Sequence, residues 1–219
     1  MVLTRTPADE GEPRPEGDHR ELSDPARRLL EAAGELFYDQ GAEATSIREI
    51  TKACGVTPGA LYNHFSSKEE LLFVLVHARH RRLEEEVTAA QAAVAGNPCA
   101  ELSAIVRVYV RMHVRQRKGA RVANREYPRL TGERLAEVVA VRRRLRDRVV
   151  AVLVEGTRTG VFDVVGGDDH AAFTITVSSL LDMLVHCGEW LHEGSPLSLM
   201  EIEDRYVAMA LRLVGCSAG

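Results

Sequence analysis

Residues 45–68 read Thr-Ser-Ile-Arg-Glu-Ile-Thr-Lys-Ala-Cys-Gly-Val-Thr-Pro-Gly-Ala-Leu-Tyr-Asn-His-Phe-Ser-Ser-Lys, and they constrain the fold more than any other part of the chain. Two helix starts sit on either side of a tight turn. Ser46 and Glu49 have the spacing of a capping box, in which hydroxyl and carboxylate each satisfy the other's backbone N–H. Ile47, Ile50 and Ala53 then form a narrow apolar stripe along one helix face. Gly55 stands where the chain must turn and where a positive φ costs glycine little. Val56 fills the elbow. Thr57 is a good N-cap, and Pro58 suits the first helical turn, where its missing N–H would go unpaired. Leu61 and Phe65 lie four apart and pack back on the first helix.

One face of the second helix is left for a partner. Thr57, Pro58, Gly59 and Ala60 are small enough to let the backbone approach base edges, with Asn63 on the same short helix. Tyr62, His64 and Lys68 reach for phosphate oxygens, and Thr45 and Ser46 lie at the start of the first helix, whose free N–H groups favour anions. This is the pattern of a helix-turn-helix reading a DNA major groove. An ordinary helical hairpin explains any one of these residues but not the whole string.

The stretch from Ala26 to Val76 resembles the DNA-binding domain of the TetR family of transcriptional regulators. The match runs through Ala32, Leu36, Phe37, Gly41, Thr45, Ile47, Ile50, Ala53, Gly55, Val56, Gly59, Leu61, Tyr62, His64, Phe65, Lys68, Glu70, Leu71 and Leu72. Thr51 and Cys54 depart from the alanine common there, and both are small. The resemblance implies an all-α protein of about nine helices. A three-helix DNA-binding domain comes first, and a helical ligand-binding and dimerisation domain follows. It also implies a homodimer through the last two helices, so that two heads meet a palindromic operator about one DNA turn apart, about 34–36 Å.

Composition agrees with a helical chain. Of 219 residues, 45% are hydrophobic and only 5% aromatic, enough for a real core with helix favoured. The net charge of −4 leaves phosphate affinity to local groups. Cys54, Cys99, Cys187 and Cys216 have no close spacing, so no disulfide framework is expected and a reducing cytoplasm is the natural setting. No apolar run long enough to span a bilayer is apparent, and no membrane association is expected.

Residues 1–23 are rich in charge, proline and glycine and read as a disordered tail. The DNA-binding domain is placed at 24–70 and the body at 71–219. Asp24-Pro25 opens a helix to about Gln40 with Gly41 as its stop. Ser67 with Glu70, and Ser198 with Glu201, are further capping boxes. Gly119 is expected to break the apolar run 105–114, Gly156–Gly160 to close a long helix from Thr131, and Asp168-Asp169 to open a helix through Trp190 to about His192. Gly194-Ser195-Pro196 reads as a turn, and Phe162–Val165 before Gly166-Gly167 is too short for a sheet.

The body is expected to hold a small-molecule effector that shifts the protein away from DNA by linkage. Tyr109, His113, Tyr127, Phe173, Met183, His186 and Trp190 are the lining candidates, although such residues at helical spacing more often pack a core. Asp182, His186 and Glu189 share a helix face, a pattern that also arises by chance, and no metal or cofactor is assigned. Arg142, Arg143, Arg144, Arg146 and Arg148, with Arg125 and Arg129 upstream, offer phosphate-binding charge for an acyl-CoA. The string Glu126-Tyr127-Pro128-Arg129-Leu130 followed by this helix resembles TetR-type repressors of lipid and steroid catabolism, some of which respond to CoA thioesters. The favoured reading of the arginines is a solvated face paired with Glu133, Glu137 and Asp147. The leading function is a ligand-responsive repressor. A metal- or thiol-responsive regulator is the alternative, and a helical enzyme finds no catalytic motif.

Overall fold

A computed structural model describes residues 22–164, 169–190 and 197–216. Most of the tail, the turn at 194–196, the end near His192, and Asp168 with Val165–Gly167 lie outside the described residues. The described residues are helical and contain no strand. The order is α1 Asp24–Ala44, α2 Ile47–Cys54, α3 Pro58–Tyr62, α4 Lys68–Ala92, α5 Pro98–Arg115, α6 Arg117–Glu126, α7 Gly132–Arg158, α8 His170–Val185, α9 Cys187–Trp190 and α10 Leu199–Leu213.

Local chemistry accounts for most boundaries. Ser46 and Glu49 form the full capping box of α2, and Gly55 closes it in the left-handed region at φ 68°. Thr57 caps α3 through the Ala60 N–H. Ser198 and Glu201 repeat the box at α10. At α4 the box is displaced: Ser67 accepts from Glu70 N, but the Glu70 carboxylate takes the N–H of Ser66 at 2.6 Å.

Two glycines play parts different from those the sequence suggests, while α7 closes at Arg158, within Gly156–Gly160 as expected. Gly41 does not end α1 but kinks it at φ 85°, with one more turn to Ala44. Gly119 lies inside α6, and the break after α5 falls at Gln116 instead. A Cβ on Gly119 would sit 2.4 Å from Arg79 Nη2, so the glycine is there to let a guanidinium lie against the helix. Gly156 lies within α7 because the Phe162 ring needs its space, 2.0 Å from where a Cβ would stand.

Two apolar cores are stacked end to end. The first joins Leu30, Phe37, Ile50, Leu61 and Phe65 with Leu71, Leu72 and Val76 of α4, and takes Val122, Leu130 and Val138 from the body. The second gathers Leu83 and Val87 of α4 with α5, α7, α8 and α10. One helix therefore belongs to both cores, and the head core extends past residue 70.

Two sequence expectations are corrected here. Cys99 and Cys216 are joined in a disulfide, because the fold brings the start of α5 beside the end of α10 across a sequence separation of 117. Cys54 and Cys187 remain thiols. The segment His170–Trp190 is also long and apolar enough to cross a bilayer by length and composition, with a mean hydropathy of 1.4. It is a helix with one face on the body core, through Val177, Leu180 and Leu184, and it breaks at His186.

Candidate functional site

The projecting face of α3 is built as the spacing predicts. Ser46, Thr57, Pro58, Gly59, Asn63 and His64 are exposed, Ala60 is half-buried, and Tyr62 is 57% exposed despite its aromatic ring. The nearest group to a Cβ built on Gly59 is Thr57 Oγ1 at 3.9 Å, so the fold itself does not require glycine there. Its missing side chain leaves room for something outside. Cys54 is structural: its thiol donates to Arg28 O, Arg28 donates to Cys54 O, and burial pushes the thiol pKa up.

Two candidates move from contact to support. Thr45 is buried at 1% exposure, donating to Gly41 O at 2.8 Å. Lys68 Nζ donates to the carbonyls of Ala42 (2.6 Å), Glu43 (3.2 Å) and Thr45 (2.6 Å). An ammonium has three hydrogens, and here all three go to the end of α1. Lys68 therefore ties α4 to the head and has no donor left for a phosphate.

Glu126 makes a second tie, which the sequence does not reveal. Its buried carboxylate accepts from Ala42 N at 3.2 Å, just past the Gly41 kink, and from Arg125 at 2.8 Å, and pairs with Arg129 at 2.9 Å. Arg125 also donates to Phe37 O at 2.7 Å, and Arg129 pairs with Glu43. Replacing Glu126 with alanine strands the Ala42 N–H and leaves both guanidiniums half in water. The expected loss is about 2–3 kcal/mol of stability by urea unfolding. A loss within experimental error would mean that the clasp holds nothing.

In the body, the candidate lining residues separate into two groups. Tyr109 and His113 are buried on α5, and Tyr127 is half-buried beneath Arg142, whose guanidinium carbon stands 4.2 Å from its ring centre. Phe173 and Met183 are partly buried and pack on the body core. His186 is exposed, and Trp190 is 59% exposed, donating to Tyr206 Oη at 3.1 Å. The metal pattern does not assemble: Glu189 pairs with Arg121 at 3.4 Å, and no group of three potential ligands forms among the described residues.

A polar seam crosses the interior and fixes its own protons. His80 Nδ1 lies 2.8 Å from Val76 O, so Nδ1 carries the hydrogen and Nε2 accepts from Arg142 at 2.9 Å. Arg142 also donates to Asn124 Oδ1 at 3.1 Å, and the Asn124 amide donates to His113 Nε2 at 3.2 Å. His113 Nδ1 then donates to Tyr109 O at 2.8 Å. Both rings are neutral in this chain. Burial, with smaller help from nearby cations, pushes His80 down to about 3 and His113 down to about 4. Sequence reasoning missed His80 and Asn124. His80 is flanked by Arg79, Arg81 and Arg82 and reads as part of a solvated charged face.

The arginine-rich stretch of α7 finds partners other than those expected. Arg144 donates to the buried Glu84 at 2.5 and 3.0 Å, and Arg148 to Gln91 at 3.3 Å, while Glu137 pairs with His77 at 3.8 Å.

A projecting helix-turn-helix, clasped through a shared helix to a helical body with its own core, defines a DNA-binding transcriptional regulator. The profile described as "Tetracyclin repressor-like, C-terminal domain" matches residues 95–214, more than half the chain. That described as "Bacterial regulatory proteins, tetR family" matches residues 29–75. The chain belongs to the TetR family, whose members are regulators and not enzymes. It is 25% identical over 190 residues to the HTH-type transcriptional repressor KstR2 of Mycobacterium tuberculosis, covering 84% of this chain and 89% of that protein. A tetR-family regulatory protein from Rhodococcus RHA1 superposes with a TM-score of 0.80 at 28% identity, covering 90% of this chain and all (100%) of the other. The structure of AibR in complex with isovaleryl coenzyme A and operator DNA has a TM-score of 0.75 at 28% identity, covering 89% of this chain and 100% of the other.

Proposed function

We propose that the protein is a homodimeric cytoplasmic repressor that binds a palindromic operator and is released by a small-molecule effector, with an acyl-CoA as the leading class. The observation that carries this reading is the double membership of α4: Leu71, Leu72 and Val76 pack in the head, Leu83 and Val87 in the body. A ligand that reshapes the body moves the helix that carries the head, and so changes the spacing of two heads on DNA. The DNA-contacting face comprises Ser46, Thr57, Pro58, Gly59, Ala60, Tyr62, Asn63 and His64. The dimer forms through α8 and α10, where Ile175, Met200 and Met209 are exposed at 66%, 68% and 43%. Apolar residues this exposed on two adjacent helices call for a covering partner. The acyl-CoA class is supported by the ligand named for AibR.

The test is selection of bound sequences from a random DNA pool with the purified protein, followed by release with isovaleryl-CoA and longer acyl-CoAs. A recovered inverted repeat is the expected result; a pool without enrichment would sink the reading. Tyr62→Ala should weaken binding to the recovered operator about tenfold, the loss of about 1–2 kcal/mol. Unchanged affinity would remove Tyr62 from the interface.

A further inference from the structure

The Cys99–Cys216 bridge joins two ends that the fold already brings together. α10 finishes in a complete glycine cap: Gly215 takes the left-handed region at φ 62°, its N–H donates to Arg212 O at 3.1 Å, and Cys216 N donates to Leu211 O at 2.8 Å. A Cβ on Gly215 would stand 2.4 Å from Asp163 O, so the turn is pressed against the segment that follows α7. Val214, just before it, is fully buried in the body core. Further along α10, Glu203 accepts from Arg111 at 3.0 and 3.2 Å, and Asp204 accepts from Arg107 at 2.6 Å, both arginines on α5. Backbone, core and ion pairs thus hold the two positions side by side without the covalent bond, which leaves it free to open and close.

The two sulfurs sit in unlike fields. Cys99 is in the first turn of α5, behind the Asn97 cap and Pro98, where the helix field favours a sulfur anion. Glu101 in the same turn is engaged by Gly96 N at 2.8 Å and Gln91 Nε2 at 2.7 Å. Cys216 follows the C-terminus of α10, where the helix field opposes an anion. Both residues are half-buried, open enough for a small oxidant, whereas Cys187 is fully buried and the Cys54 thiol is tied to Arg28 O. In the reducing cytoplasm proposed above, disulfides are usually transient and serve redox sensing or catalysis.

We infer that Cys99 and Cys216 form a reversible thiol–disulfide site that answers to hydroperoxides, with Cys99 as the attacking thiolate and Cys216 as the resolving thiol. The inference rests on the cytoplasmic regulator reading above and gives that regulator a second input beside its effector. The Cys99 thiolate attacks the hydroxyl oxygen of the peroxide; a sulfenic acid forms, the O–O bond breaks, and the other oxygen leaves as an alkoxide that water protonates. Cys216, as its thiolate, then attacks the sulfenic sulfur. The S–S bond forms, the S–O bond breaks, and hydroxide leaves and takes up the Cys216 proton as water. Each sulfur gives up one electron, and the two electrons reduce the O–O bond. Reduced glutathione reverses the change through a mixed disulfide. The bond closes the end of α10, one of the two helices assigned to the dimer, onto α5.

The experiment uses the full-length protein and needs no operator. The oxidised fraction is read by alkylating free thiols and weighing the intact chain. It is followed first across glutathione buffers from wholly reduced to wholly oxidised, then against time in hydrogen peroxide. The bridge should be open at the reduced end, closed at the oxidised end, and should form from the dithiol in peroxide. Cys216→Ser should stop at the first step, leaving a Cys99 sulfenic acid that dimedone traps. Cys99→Ser should react with peroxide about fivefold to tenfold more slowly, the effect of the two helix ends combined. A bridge that stays closed in reduced glutathione would be a permanent tie and would overturn the site, as would a dithiol that peroxide leaves unjoined. Equal peroxide rates in the two single variants would overturn the assigned roles. The titration of the unaltered protein decides the main point even if a variant folds poorly. None of these results bears on whether an operator is enriched, so the two readings fail separately.

Discussion

Lowering the pH from 7 to 5 is expected to remove about 3–4 kcal/mol of folding stability, through His80 and His113. In the unfolded chain each imidazole binds a proton with a pKa of about 6.5. In the folded protein burial depresses them to about 3 and about 4. Between those limits the unfolded state holds more protons, so stability falls as pH falls. The contribution is fully present above about pH 6.5 and is withdrawn below it, at up to about 1.4 kcal/mol per histidine per pH unit. The carboxylates act lower. Glu49, Glu69, Glu70, Glu84 and Glu201 have pKa values lowered mainly by hydrogen bonds to the ionised form, so their stabilisation survives to pH 5 and is lost only in stronger acid. Urea unfolding at pH 7, 6 and 5 isolates the histidine window. His80→Gln keeps an acceptor near Arg142 while removing one titration, and should roughly halve the slope. A stability that stays flat across this range would contradict the neutral, hydrogen-bonded pair.

The features legible in the sequence are those whose causes are local. Ser46 with Glu49, Gly55 and Thr57-Pro58 determine α2, the turn and α3 through contacts within a few residues, and the helix-turn-helix follows from them. Features that depend on distant partners are not legible there. Lys68 looks like a phosphate contact until the end of α1 folds around its ammonium. Gly119 looks like a helix breaker until Arg79 arrives from α4. The arginines of α7 look like one solvated face, yet Arg144 turns to Glu84 and Arg142 to His80, both on α4. In each case a charged or small residue has its partner on another helix, and helical periodicity carries no information about that. The apolar lining candidates divide for the same reason. Tyr109 and His113 are turned inward on α5, whereas Trp190 follows the break at His186 and faces outward.

The disulfide is the extreme case of a distant cause, and breaking it should have the largest effect of any single change. Cys99 lies in the first turn of α5 and Cys216 just beyond α10, with 117 residues of sequence separation between them. Closing a loop of that length removes conformational entropy from the unfolded chain worth about 4–5 kcal/mol. Reduction should therefore lower the melting temperature by about 10–15 °C. The comparison is between protein kept oxidised and protein held in a phosphine reductant. A Cys99→Ser, Cys216→Ser double variant should match the reduced form and ignore the reductant. The remaining thiols do not confuse the result, because burial raises the pKa of Cys54 and pushes Cys187 up to about 12, leaving both poor nucleophiles near neutral pH. Identical melting of oxidised and reduced protein would show that the bridge adds nothing to contacts that α5 and α10 already make. A large difference has a further consequence. The proposed cytoplasmic setting keeps thiols reduced. On the proposed reading the form that meets DNA is the less stable one, with the end of α10 no longer tied covalently to α5, so DNA binding has to be measured in both redox states.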